Sequence, residues 1–127
     1  MKKEDKTFED LIELILDQAE RYLQELGEFF PYASVLNKNN ELVTLGIYSD
    51  EKLFNAKIAI DKIQTEIINK IDKGEIIYGA IGIDGFINAT NDNVVLIKVT
   101  DNGVDWHQKH FVYSIVDGLV QLDRIIL

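Results

Sequence analysis

Glu75-Ile76-Ile77-Tyr78-Gly79-Ala80-Ile81-Gly82-Ile83-Asp84-Gly85-Phe86-Ile87-Asn88 is the stretch on which the fold turns. Before it, apolar residues recur every three or four positions, whereas from Glu75 onward the period is two, so a strand is predicted to follow a helix here. Gly79, Gly82 and Gly85 interrupt this strand while Ile77, Ile81, Ile83 and Ile87 keep it apolar. Glycines inside a strand mark a bend, a bulge or a close approach by something packed above. Their spacing superficially matches a phosphate-binding loop, but such loops place glycines in a turn that opens a helix, and no helix pattern follows. A bent strand is the reading adopted.

Upstream, Phe8, Leu11, Ile12, Ile15, Ala19, Tyr22, Leu23 and Leu26 form one helical face. Thr7 is its expected cap, with Asp10 three residues on, and Gly27 its expected left-handed stop. Phe29-Phe30-Pro31-Tyr32 then leads into two strands around an Asn-rich turn at 37–40, the second running over 42–48. Ser49 or Asp50 is expected to open a second helix, whose Leu53, Ala56, Ile60, Ile63, Ile67 and Ile71 keep the helical period until Lys73-Gly74. Ile58, Ala59 and Ile68 broaden its apolar face. Strands are predicted at 75–88, 94–100, 110–116 and 119–126, with Asp117-Gly118 as a two-residue type I′ hairpin turn. The expected fold is α+β: an antiparallel sheet of about five to six strands with two helices on one face, in the order α-β-β-α-β-β-β-β. No linker or internal repeat divides residues 1–127, which are read as one domain.

Composition narrows the function classes. The 127 residues carry 22 Asp and Glu against 13 Lys and Arg, a formal net charge of -9, and no cysteine. Disulfides and cysteine metal sites are excluded. Nucleic-acid and anionic-membrane binding depend on clustered Lys and Arg, so neither is expected of this chain. The charged start, Met1 to Lys6, does not read as a signal peptide, and no apolar run approaches the roughly 20 residues that span a bilayer. A bacterial cytoplasm is the expected setting. Nine of the acids fall in the first 28 residues, opposed only by Lys2, Lys3, Lys6 and Arg21, so the charge belongs largely to one helix.

Candidate chemistry is sparse. Asp105, His107 and His110 could in principle ligate zinc, but on a strand the two histidines point to opposite faces, so a solvated strand end is the reading taken and no metal is assigned. Asp101-Asn102-Gly103-Val104-Asp105 lacks the twelve-residue calcium loop and reads as a turn. No nucleophile elbow or catalytic cysteine occurs, so no catalytic residue and no cofactor is assigned. Asp84 shares a strand face with Gly82 and Ala80, where a carboxylate beside small residues could floor a ligand cleft; a strand-end acid facing water is the bland alternative. Trp106, between Asp105 and His107, is the first choice for a partner or ligand contact, although a half-buried Trp pinning a turn is commoner.

Gly27-Glu28-Phe29-Phe30-Pro31-Tyr32-Ala33, continuing through Val35-Leu36-Asn37 to Gly46-Ile47-Tyr48, resembles a family of small uncharacterised bacterial proteins. In that family an acidic helix leads to a Gly-Glu-Phe-Tyr-Pro-Phe-like strand, a turn, a second helix and a run of strands. The resemblance implies the fold and supplies no activity. Where members carry an aromatic-Pro-Tyr strand near the end, this chain has Phe111-Val112-Tyr113 without the proline.

The preferred expectation is a non-enzymatic interaction domain, a homodimer or the binder of another, basic protein, with an immunity- or inhibitor-like protein as one concrete form. Two features motivate it: an acidic helix face carrying Glu13, Asp17 and Glu20, and a final strand, ending in Arg124-Ile125-Ile126-Leu127, with no charged tail to protect its edge. The alternative is a small-molecule-binding domain or enzyme whose cleft lies between the third strand and the helices, with Asp84, Tyr78 and Trp106 near it. Filling of that space by Ile and Phe side chains would defeat this alternative.

Overall fold

The structure is a computed structural model that describes residues 7–45 and 55–124. Helix α1 (Phe8–Leu26) is followed by strands β1 (Tyr32–Asn37) and β2 (Leu42–Leu45), helix α2 (Ala56–Asp72), and strands β3 (Ile76–Ile87), β4 (Asp92–Thr100), β5 (His107–Val116) and β6 (Leu119–Leu122). All pairings are antiparallel, in the order β2-β1-β3-β4-β5-β6. The α+β class and the element order are as the sequence led one to expect. Gly46-Ile47-Tyr48, Ser49, Asp50, Leu53 and the end of the expected last strand at Ile125 and Ile126 lie outside the described residues. α2 is capped by Asn55, whose side chain accepts from Ile58 N–H at 3.0 Å.

Local signals act where they were read. The Thr7 backbone N–H donates to Asp10 Oδ2 at 2.8 Å and Asp10 N–H returns to Thr7 Oγ1, which closes a capping box, while Gly27 takes the left-handed conformation at φ 77°. Asp117 and Gly118 both have positive φ, as a type I′ turn requires.

The two helices differ from expectation in their placement: they lie on opposite faces of the sheet. α1 packs on Tyr32, Ala80, Val95, Ile97, Val99, Phe111 and Tyr113, whereas α2 packs Ile63 and Ile67 on Ala33, Val35 and Ile81. Successive side chains of a strand alternate between faces, so Ala80 serves α1 and its neighbour Ile81 serves α2. β3 is thus the central strand, covered on both sides, which explains why its apolar residues run on without polar alternation. A Cβ on Gly79 would stand 2.5 Å from Ile67 Cγ2, and one on Gly82 2.7 Å from the Tyr32 ring, so these glycines are where α2 and an aromatic ring sit down on the strand.

The sheet is curled around α1. A flat six-stranded sheet is roughly 24 Å across and a helix about 10 Å wide. Yet α1 reaches both edge strands: Gln18 Nε2 donates to Thr44 Oγ1 of β2 at 2.9 Å, and Gln24 Nε2 donates to Gly118 O beside β6 at 2.5 Å. α1 therefore occupies the concave face. On the convex face α2 contacts β1 and β3, leaving the outer side of β5 and β6 with exposed Val112, Val116 and Leu119.

Candidate functional site

The residues singled out for a cleft do not converge. Trp106 belongs to the convex side, half-buried against the cluster that holds Ile63 and Ile67, with Lys98 Nζ 5.6 Å from its ring centre. Tyr78 lies on the concave side at the other end of β3 from Asp84, about 20 Å away at strand rise, where its ring packs 4.2 Å from that of Phe8. The space between β3 and α1 is filled by Leu11, Ile12, Ile15, Leu16, Ala19 and Leu23, all essentially buried, and Ile67 closes the space above Gly79 on the other side.

Asp84 is neither free in water nor the floor of a cleft. Tyr113 O–H donates to its Oδ1 at 2.6 Å and the Phe29 backbone N–H donates to its Oδ2 at 3.3 Å. The carboxylate thereby ties the α1–β1 connection to β5 across the sheet. Burial, followed by the hydrogen bond to Asp84 and the charges of Asp84 and Glu28, holds the Tyr113 phenol well above its ordinary range. Tyr32 is held up more strongly by burial and by Tyr22, with its O–H donated to the Ile15 carbonyl at 2.5 Å. These are packing tyrosines rather than proton carriers.

The acidic face of α1 has an internal partner that the sequence did not reveal. The Arg124 guanidinium reaches Asp17 Oδ1 at 2.7 Å, Glu13 Oε2 at 3.5 Å and the carboxylate of Glu20. Burial alone would lower the guanidinium's pKa; the hydrogen bonds to Asp17 and Glu20 outweigh it and raise the value. The described part of the last strand's edge, expected to be unprotected, is partly met by the same helix. Gln24 donates to Gly118 O and accepts from Val120 N–H at 3.1 Å, so a side-chain amide satisfies part of the edge that another strand would use. Both features needed contacts across about 95 residues or more to become visible.

What remains open lies at one end of the molecule. Three contacts gather it: Gln24 to Gly118, Phe29 to Asp84, and Asp84 to Tyr113. Around them stand Leu26 at 71% exposure, Phe30 at 50%, and the exposed Phe86 and Ile115, while Val116 and Leu119 face the convex side beside the same hairpin turn. A pocket of about 300 Å³ opens there, lined by Tyr22, Leu26, Phe29, Phe30, Pro31 and Tyr32. Tyr22, Phe29 and Tyr32 pack on one another, with Tyr32 edge-on to both other rings, and form its floor. Glu25 and Glu28 flank the same connection, and the last turn of α1 carries no base.

His107 and His110 lie on opposite faces of β5, and among the described residues no three His, Asp or Glu side chains gather as a metal site would need. The 100–105 segment is a self-satisfied turn: Thr100 Oγ1 accepts from Gly103 N–H at 2.9 Å, and Asn102 Oδ1 accepts from Val104 and Asp105 N–H at 2.8 and 2.7 Å. No described helix is long and apolar enough to cross a membrane. Comparison of the chain with protein-family models, with curated proteins and with solved structures finds no match.

Proposed function

We propose that this chain is a non-enzymatic protein-interaction domain that docks a basic partner at the apolar end of the molecule, as an immunity- or inhibitor-like protein would. The observation that carries the reading is the exposure there of Leu26, Phe30, Phe86 and Ile115 beside an apolar pocket. Exposed large apolar side chains gathered around an apolar pocket and rimmed by polar residues mark an interaction site. Glu13, Asp17 and Glu20 are engaged by Arg124, so the acids left to steer a partner are Glu25 and Glu28 at this end.

A second copy of the chain is the rival occupant. Joining two copies through this end would bring the same acids together on a chain of net charge -9, which opposes it. The immobilised protein, exposed to a lysate of its own cells at low salt, is expected to retain one basic protein in near-equal amount and to release it at high salt. Retention of no protein at low salt would sink the interaction reading.

A further inference from the structure

We infer that the pocket formed by Tyr22, Leu26, Phe29, Phe30, Pro31 and Tyr32 receives a single large apolar side chain of the partner, aromatic or aliphatic, flanked in the partner's sequence by Lys or Arg. This rests on the interaction reading above and specifies the chemistry that the site recognises. Three observations on the molecule lead to it.

The first is size. At about 300 Å³ the pocket sits at the lower limit of small-molecule sites, which run from roughly 300 to 1,000 Å³, so it suits one side chain better than a cofactor. The second is its lining. Every lining residue is apolar or aromatic, the Phe29 N–H is committed to Asp84 and the Tyr32 hydroxyl to the Ile15 carbonyl. Affinity at such a pocket comes from filling it, as an anchor residue does at a protein interface.

The third is charge. The C-terminal end of a helix carries partial negative charge and is ordinarily relieved by Lys or Arg in the last turn. α1 ends without one, and Glu25 and Glu28 add to the negative end instead of offsetting it. The field of Glu28 is felt as far as the Tyr113 hydroxyl. Arg124, the base that pairs with this helix from the far end of the chain, is spent on Glu13, Asp17 and Glu20. Glu25 lines the adjoining surface with Arg21, and Glu28 lies in the connection that leads to Phe29, so the helix end beside the apolar pocket keeps two acids against one base, and a base beside the anchoring side chain would offset the excess.

The test uses the full chain and a capped peptide, Lys-Lys-Phe-Lys-Lys, read by backbone amide shifts. Saturable shifts confined to Tyr22 and to Leu26 through Tyr32 are expected, with affinity falling about tenfold or more when Ala replaces Phe in the peptide or when Glu25→Gln and Glu28→Gln are combined in the protein. Equal binding of the Ala peptide would overturn the inference, since attraction would then be charge alone. Shifts centred on Val112 and Leu119, or none that saturate, would also overturn it, as would shifts at Leu26 through Tyr32 on simple dilution, which would make a second copy the occupant. If the natural partner is lost on Val116→Ser with Leu119→Ser but kept on Leu26→Ser with Phe30→Ser, this inference fails while the interaction reading stands.

Discussion

Tyr113→Phe removes one hydroxyl and leaves Asp84 Oδ1 without its donor, so the cost is that of a half-buried carboxylate losing a partner, about 1 to 3 kcal/mol. Urea unfolding of the two proteins at neutral pH measures it, and equal midpoints would show that the bond contributes nothing. The same residue sets an alkaline signature. Tyr113 and Tyr32 have folded values raised above 10.0, so their contribution to stability is complete below about pH 10 and is lost as pH rises toward the folded values. Melting temperature should therefore fall above pH 10, and fall less steeply in Tyr113→Phe; parallel profiles would contradict the account. Gly82→Ala probes a neighbouring close approach. Its Cβ would meet a ring whose hydroxyl is fixed on Ile15, an overpacking worth about 1 to 3 kcal/mol, whereas Gly85→Ala meets nothing nearer than the Val94 methyl at 3.4 Å and should cost less. The spacing of these glycines was legible in the sequence, but which of them had something above it was not, because that depends on Tyr32 and Ile67 arriving from distant segments.

At the level of elements, β6 shows where reading along the chain stops. A strand expected over 119–126, with no charged tail beyond it, read as an invitation to another chain, yet its described part, Leu119–Leu122, is bound to α1 through Gln24, and Arg124 just beyond it pairs with the same helix. A glutamine in the last turn of a helix carries no mark that it will satisfy a strand edge 96 residues away. The turn Asp117-Gly118 and the caps at Thr7 and Gly27 were legible because their chemistry is local. The contacts of Arg124 are partly exposed and open to screening, so Arg124→Ala should destabilise by only about 1 kcal/mol, with the difference shrinking at high salt. Amide hydrogen exchange should place the effect in β6 and the adjoining half of β5. A uniform rise in exchange across the sheet would mean that the strand is not held separately in this way.

For the whole molecule, the arrangement follows from one strand being apolar on both sides. The unbroken run from Ile76 to Ile83 was visible, as was the breadth of the second helix, but assigning both helices to one face overlooked that such a run calls for cover on both faces. Once α1 takes the concave side and α2 the convex side, the sheet curls until Thr44 and Gly118, at its two edges, touch the same helix. Curling fills the interior and leaves the end near Leu26 and Phe30 as an open apolar surface beside a pocket, with Val112, Val116 and Leu119 exposed on the convex side. Of the residues picked from sequence, Asp84 does sit next to that end, as the tie that shapes it, while Trp106 anchors a turn on the other face. Leu26 and Phe30 passed unnoticed as site residues because helix periodicity and an aromatic-Pro strand both predict burial for them. The central claim, that this end is the docking surface, is tested most directly by the affinity of Leu26→Ser with Phe30→Ser for the captured partner. The account predicts a loss of about 2 kcal/mol or more per anchor with the melting temperature little changed, and unaltered affinity would contradict it.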